Sequence, residues 1–151
     1  MNNRMLEERS AGAVVFKEKD GIPNFLLLNY PAGHWDFPKG KIEKGELILD
    51  TVKREICEET GIREIEIIPD FKKNIEYYYR RNTELVYKQV IYFLARVLTW
   101  DITLSYEHKD YIWLDLEQAI NKLTYKNSKN TLKDAAIFLD KMLIYRDGFV
   151  P

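Results

Sequence analysis

The sequence is poor in the residues that mark secreted, fibrous or membrane-spanning chains. Its 151 residues include one cysteine, seven glycines and five prolines. The single Cys57 cannot form an intramolecular disulfide, and a lone thiol is typical of a reducing compartment. The longest apolar runs, 25–28 and 90–95, are too short to cross a bilayer. Residues 1–9 are polar and lack the apolar core of a secretory signal, so we expect a cytoplasmic protein without membrane contact.

Neither sign of charge is in excess. Lysine and arginine number 23, and aspartate and glutamate number 24, for a formal net charge of -1. Proteins that coat nucleic acid or anionic membranes need a clear basic excess, so the balance argues against both, although it allows a local basic pocket. What stands out instead is ten tyrosines, because each buried tyrosine hydroxyl needs a hydrogen-bond partner.

The pattern of apolar residues predicts a mixed α/β protein. Strands are predicted at 10–17, 25–30, 62–68, 71–79, 85–97, 102–104 and 111–114, with 71–79 and 85–97 forming a hairpin. Helices are predicted at 46–60, 116–123 and 130–145. Residues 30–45 are rich in proline and glycine and predict a long ordered loop, a common place for function. Without repeats or linkers, we expect one domain over 1–151.

The predicted helix 46–60 contains charges that are unfavourable for it. Glu55, Glu58 and Glu59 lie in its last two turns, next to the negative end of the helix dipole. At ~100° per residue, Glu59 projects onto the apolar stripe that faces the core and Glu55 onto the edge of that stripe. A bare buried carboxylate is very costly, whereas a hard divalent cation with oxygen ligands would remove the conflict. The alternative is a helix that ends early, with three solvated glutamates.

The residues around this helix decide between these alternatives. They follow the pattern G-x5-E-x7-R-E-U-x-E-E-x-G-U, where U is aliphatic. The chain supplies it without departure, with Gly40, Glu46, Arg54, Glu55, Ile56, Glu58, Glu59, Gly61 and Ile62. Seven fixed identities match a given start by chance about once in 10^8. The segment 40–62 therefore resembles the Nudix box, the signature of a hydrolase family.

The resemblance implies an α/β/α sandwich with a mixed β-sheet and hydrolysis of nucleoside diphosphates linked to another moiety. It implies Mg²⁺ as the cofactor, with Mn²⁺ as a substitute. The implied metal ligands are one carbonyl and three carboxylates, those of Gly40, Glu55, Glu58 and Glu59. Arg54, together with Glu46, would hold the carboxylates in place. A carboxylate in an acidic cluster can have its pKa raised toward neutrality and act as general base, but spacing does not say which one.

Four runs outside the box are similar to the asymmetric diadenosine tetraphosphate hydrolases of the animal and archaeal type. These runs lie within 33–40, 71–94, 105–114 and 125–126. The similarity implies that His34, Lys39 and Lys88 bind phosphate and that Tyr77 and Tyr125 stack on a purine. The plain alternatives stay open: surface lysines, a histidine that packs its loop, and a Tyr125 that anchors the last helix.

The role that the similarity implies for Glu107 is less specific. By the same similarity, Glu107 adds a carboxylate to the metal cluster or serves as the general base, and its alternative is a solvated loop glutamate. His108 is expected at the surface or behind another site residue. Trp35 and Phe37 are expected to pack their loop rather than to contact a ligand.

Three functions remain to be compared. The leading one is hydrolysis of dinucleoside polyphosphates, with diadenosine tetraphosphate giving ATP and AMP. The second is removal of pyrophosphate from modified nucleoside triphosphates or RNA 5′ ends. The basic Arg80-Arg81 pair at the hairpin tip would suit an RNA 5′ end or a longer polyphosphate. The third is a non-catalytic nucleotide-binding module, against which the intact set of glutamates argues.

Overall fold

A computed structural model describes residues 5–146. Within them, eight strands form one mixed sheet and three helices cover it. The strands are β1 (Leu6–Lys19), β2 (Ile22–Asn29), β3 (Trp35–Asp36), β4 (Lys39–Lys41), β5 (Glu66–Ile67), β6 (Lys73–Arg81), β7 (Glu84–Arg96) and β8 (Asp110–Leu114). The helices are α1 (Ile48–Thr60), α2 (Leu116–Lys122) and α3 (Lys126–Arg146). Residues 1–4 and 147–151, which the predicted domain includes, lie outside the described residues.

Strand β1 lies at the centre of the sheet. It runs parallel to β7 from the pair Leu6↔Val86 to the pair Phe16↔Arg96, and antiparallel to β2 and β4. Its residues 10–16 are all buried, because both faces of a central strand in a covered sheet are packed. The small and β-branched residues of this run are typical of such a strand.

The two faces of the sheet have separate cores. Because side chains alternate along a strand, Val14 and Phe16 enter one core while Ala13 and Val15 enter the other. Helices α2 and α3 close the first core, and α1 closes the second. The α/β/α sandwich with a mixed sheet is therefore confirmed. No helix within residues 5–146 is long and apolar enough to cross a membrane.

Most predicted elements are present, with several differences. Strand β1 begins four residues before the predicted 10, and the predicted loop 30–45 contains the short strands β3 and β4. The segment 102–104 is not a strand, since the Thr103 amide donates to the Thr60 carbonyl at the end of α1, 2.9 Å away. The predicted strand 62–68 is reduced to β5. Helix α3 begins four residues before the predicted 130. The end of α1 agrees with expectation, because Gly61 caps it with a φ of 76° that glycine adopts without strain.

Candidate active site

A cleft of about 810 Å³ opens on the face of the sheet that α2 and α3 cover. Its floor includes Val90 and Tyr92 of β7, and one wall is the start of α3. All five side chains that the sequence predicts to bind substrate line this cleft, namely His34, Lys39, Tyr77, Lys88 and Tyr125. The fold thus gathers residues from the 30–45 loop, the β6–β7 hairpin and the position just before α3 at one surface.

Strand register explains why the hairpin residues meet. Tyr77 of β6 pairs with Lys88 of β7, which in turn pairs with Glu8 of β1. Directly opposed residues on neighbouring strands point to the same face, so the three side chains form a row across the cleft. Tyr79 is two residues from Tyr77 and shares its face, whereas the intervening Tyr78 is 61% exposed on the other side.

Lys39 is held as a fixed positive charge inside the cleft. Its side chain is 14% exposed, and its Nζ lies 3.0 Å from Oδ2 of the buried Asp36. Burial alone lowers the pKa of Lys39, but the oxygens of Tyr92 and Asp36 outweigh it and hold that pKa above its ordinary value. The Ser128 hydroxyl donates to Asp36 Oδ1 across 2.8 Å and so joins α3 to this loop. The sequence analysis missed both Asp36 and Ser128.

Aromatic contacts order the loop that carries His34. The His34 ring stacks on Tyr30 with centroids 4.8 Å apart and meets Tyr125 at 5.3 Å. The Tyr30 hydroxyl donates to the Phe37 carbonyl at 2.6 Å, and Phe37 itself is fully buried, as expected for a residue that packs the loop. Burial lowers the pKa of His34, so its imidazole is neutral near pH 7.

Arg54 organises the acidic residues on the opposite face of the sheet. Its Nε and Nη2 donate to the two carboxylate oxygens of Glu46 at 2.8 and 3.0 Å. Its Nη1 lies 2.7 Å from Glu55 Oε1 and 3.2 Å from Glu58 Oε2. The bonds from Arg54, followed by one from Thr51, lower the pKa of Glu46 to about 2. Arg54 thus contacts Glu46, Glu55 and Glu58 as predicted, and within residues 5–146 no contact between Arg54 and Glu59 is observed.

Glu59 faces inward, as the helical projection predicts, and is only 6% exposed. Burial, then the hydrogen bond and negative charge of Glu55, raise the pKa of Glu59 to about 10. Among residues 5–146, neither Glu59 Oε2 nor His108 Nε2 has a hydrogen-bond partner, and these two atoms lie 3.9 Å apart. His108 Nδ1 is bonded to the Ser105 hydroxyl at 2.9 Å. The surface position considered for His108 is therefore wrong, since it packs behind Glu59.

Gly40 lies between the cleft, which it lines, and the carboxyl group of Glu55. It is the middle residue of β4, paired with Ala11, and its neighbours Lys39 and Lys41 line the cleft. A Cβ at Gly40 would lie 1.9 Å from the Cδ atom of Glu55, so only glycine leaves room for this carboxylate. β4 therefore separates the cleft from the carboxylates by the thickness of one strand.

The predicted metal ligands are brought together only in part. Gly40, Glu55 and Glu59 are neighbours, and Glu58, whose side chain is 58% exposed, is joined to Glu55 through Arg54 Nη1. Glu107 is exposed and is not among the described residues that line the cleft. In the described part of the chain, no group of three or more histidine, cysteine, aspartate or glutamate side chains is arranged to hold a metal ion. The roles of Glu58 and Glu107 stay predictions.

Comparison with protein families matches residues 6–135 to the NUDIX domain. The chain belongs to the NUDIX family. Hydrolases of the NUDIX family generally use divalent metal ions. The resemblance of segment 40–62 to the family's signature is thereby confirmed over a much larger part of the chain.

Individual relatives of this NUDIX chain support the similarity to asymmetric diadenosine tetraphosphate hydrolases that the runs outside segment 40–62 indicate. The bis(5′-nucleosyl)-tetraphosphatase [asymmetrical] of Mus musculus is 38% identical over 143 residues, which are 87% of this chain and 95% of the relative. The protein of the same name from Caenorhabditis elegans is 32% identical over 136 residues, covering 87% and 96%. A crystal structure of a C. elegans Ap4A hydrolase binary complex aligns with a TM-score of 0.79 at 31% identity, covering 89% and 98%.

Proposed function

We propose that this chain hydrolyses a phosphoanhydride bond in dinucleoside polyphosphates, converting diadenosine tetraphosphate to ATP and AMP. The observation that carries the proposal is the shared cleft of His34, Lys39, Tyr77, Lys88 and Tyr125, which reaches the carboxylate side of the sheet at Gly40. The names of the relatives from mouse and C. elegans support this choice of substrate. We further propose that residues 1–151 form one domain that acts in the cytoplasm.

The residues at the carboxylate side fit a divalent cation. Glu55 and Glu59 share a buried site beside Gly40, and Glu59 Oε2 has no partner among the described residues. Hard oxygen donors of this kind suit Mg²⁺, which we propose as the cofactor, with Mn²⁺ able to replace it. The Gly40 carbonyl, Glu55 and Glu59 would hold it, and Glu58 and Glu107 are the proposed further ligands. Bound there, the ion would neutralise phosphate charge and activate a water molecule.

The cleft supplies the contacts that position the phosphates. Lys39 remains protonated because Asp36 and Tyr92 hold it, so its charge is available to the substrate throughout turnover. Lys88 lies across the cleft floor from Tyr77 and would contact a second phosphate. The neutral imidazole of His34 can donate one hydrogen bond to a phosphate oxygen. Together these groups would orient the polyphosphate of the substrate for in-line attack by water.

The aromatic residues would hold the base. Tyr77 and Tyr125 both line the cleft, and Tyr125 is held against His34. Stacking of a base on an aromatic side chain contributes about 1–3 kcal/mol per base and tolerates different bases. The two rings would therefore fix the nucleoside end without requiring a base-specific hydrogen bond.

The catalytic set we propose consists of residues that hold carboxylates and residues that move a proton. Arg54 and Glu46 hold Glu55 through the bonds described above, so the orientation of Glu55 is fixed before substrate arrives. Glu55, Glu58 and Glu107 are the candidates for the general base that accepts the proton of the attacking water.

A product assay in isotopically labelled water tests the proposal. With Mg²⁺ and diadenosine tetraphosphate we expect equal amounts of ATP and AMP, with the label in only one of them. Two molecules of ADP would contradict the asymmetric reaction. Tight binding without product would favour a non-catalytic module. Faster turnover of modified nucleoside triphosphates or triphosphorylated RNA would favour the alternative substrates, including an RNA 5′ end.

A further inference from the structure

One charged cluster in the cleft contributes only a single residue, Lys88, to the function proposed above. We call Glu8, Tyr79, Arg81 and Lys88 the outer cluster. Glu8, Tyr79 and Lys88 line the cleft, and Arg81 is the last residue of β6, next to the hairpin turn. Lys88 belongs both to the outer cluster and to the phosphate ligands proposed above.

Strand register places the outer cluster in line with the deeper phosphate site. Lys39 pairs with Gly12 of β1, and Glu8 lies four residues earlier on the same strand. At ~3.3 Å per residue this separates the two positions by ~13 Å along the strand. A phosphate chain that extends outward from Lys39 along β1 would therefore run toward Glu8.

Glu8 is the anion at the centre of the outer cluster. Its Oε2 accepts a hydrogen bond from the Tyr79 hydroxyl at 2.9 Å and lies 3.9 Å from Lys88 Nζ. Its Oε1 accepts a hydrogen bond from Arg81 Nη2. Burial raises the pKa of Glu8, but these hydrogen bonds outweigh it and hold the pKa below its ordinary value. Glu8 is thus ionised at neutral pH and bound to both cations.

The contacts of Glu8 are the ones that a phosphate group would make. A guanidinium, an ammonium and a phenolic hydroxyl converge on its two oxygens, and Arg81 with its planar fork is well suited to phosphate. The Arg81 side chain is 52% exposed, so an incoming anion can reach it. Two cations and one carboxylate leave a net positive charge in the outer cluster.

We propose that the outer cluster is a subsite for the distal phosphates of the substrate, and that Glu8 limits the preferred chain length by competing with them for Arg81 and Lys88. A tetraphosphate leaves Glu8 in place, whereas a longer chain has to displace it. The inference rests on the proposed function, because it names which polyphosphates the same cleft prefers.

Glu8→Gln is the first test, since it removes the negative charge and keeps the size of the side chain. We expect the ratio of kcat/KM for diadenosine hexaphosphate over tetraphosphate to rise about two- to fivefold, the size expected from a partly exposed ion pair. Glu7→Gln is the matched control, because Glu7 is the exposed neighbour on the opposite face of β1 and the change in net charge is the same. Arg81→Gln should lower the ratio, leaving Glu8 unopposed by a guanidinium.

Binding of inorganic tripolyphosphate, followed by calorimetry in a chelating buffer, tests the subsite without turnover. Free tripolyphosphate is not anchored by a nucleoside and can therefore enter the outer cluster directly. Glu8→Gln should bind it about two- to fivefold more tightly than the wild type, and Arg81→Gln more weakly. If these changes in affinity are observed but the protein does not cleave dinucleoside polyphosphates, the proposed function is overturned and the subsite is not. The subsite would be overturned if both variants bound tripolyphosphate as tightly as the wild type. It would also be overturned if Glu7→Gln showed the same gain in affinity as Glu8→Gln. If Glu8→Gln fails to fold by circular dichroism, unchanged affinity in Arg81→Gln overturns it.

Discussion

The face of the sheet under α1 carries carboxylates, and the face under α2 and α3 carries cations and aromatic rings. On the first face, Arg54 holds Glu46 and Glu55, while Glu59 is buried beside Glu55. On the second, Asp36 holds Lys39 in an open cleft. Each face therefore uses one ion of opposite charge, the partly exposed Arg54 or the buried Asp36, to fix functional groups. The proposed metal ligands and the proposed phosphate ligands therefore lie on opposite sides of β4.

The largest effect is expected from breaking the acidic face. Glu59→Gln keeps the shape of the side chain and removes the carboxylate, so Mg²⁺-dependent kcat should fall by about 10³-fold or more. Glu64→Gln, an exposed glutamate beyond the end of α1, is the control and should retain activity. The measurement is steady-state release of AMP, with circular dichroism to show that the variant is folded. Full activity in Glu59→Gln would remove Glu59 from the metal site.

A methyl group at Gly40 of β4 should disturb the strand that separates the two faces. In Gly40→Ala the new Cβ would overlap the Glu55 carboxyl group, so either β4 or Glu55 has to move. We expect kcat to fall about 10²-fold and the free energy of unfolding to fall by about 1–3 kcal/mol. Gly21→Ala, at a turn with open space around it, should lower stability through its positive φ and leave kcat unchanged. Equal kcat values for the two variants would contradict this account of β4.

A smaller effect is expected from the aromatic part of the cleft. Tyr77→Ala removes one stacking surface, so KM should rise about 5- to 100-fold with a lesser change in kcat. The adjacent Tyr78 points to the other face of the sheet and offers a matched control in Tyr78→Ala. Initial rates over a range of diadenosine tetraphosphate concentrations separate the two parameters. A rise in KM of the same size in both variants would mean that β6 is merely disturbed.

The last prediction does not need turnover and concerns the pH dependence of stability in a chelating buffer. The raised pKa of Glu59, about 10, means that folded Glu59 keeps its proton while the unfolded chain loses it above about pH 4.5. Stability from this group is therefore complete below pH 4.5 and is lost as the pH rises toward 10, by at most ~1.4 kcal/mol per pH unit.

Thermal unfolding between pH 5 and 9 measures this slope in the wild type and in Glu59→Gln. The variant cannot ionise at this position and should show a flatter profile. Added Mg²⁺ should stabilise the wild type more at high pH, where the carboxylate is ready to bind it. Identical profiles for the two proteins without metal would show that Glu59 does not titrate as described.

Local sequence signals were sufficient for much of this structure. The period of α1, its Gly61 cap and the inward position of Glu59 follow from helix geometry alone. The shared face of Tyr77 and Tyr79 follows from the two-residue repeat of a strand. Features of this kind depend on residues a few positions apart, and the sequence displays them directly.

Contacts between distant segments were beyond the reach of such signals. The Glu8–Lys88 pair depends on the parallel register of β1 and β7, which neither strand specifies by itself. Ile102 and Leu104 are apolar enough for a strand, but they pack beside α1, where the backbone pairs with the helix end. His108 looks like a polar loop residue until the same loop folds over Glu59.

The parallel pairing of β1 with β7 has a consequence for how the chain assembles. The strand that begins the described sheet cannot obtain its longest partner until the second half of the chain is available, and the Asp36–Ser128 bond joins residues 92 positions apart. Non-local pairing of this kind slows folding, because the entropy of closing the loop is lost before the contact forms. During synthesis, α1 and its glutamates would emerge well before the strand and helix that complete the cleft. Catalytic competence should therefore appear only with the last step of folding.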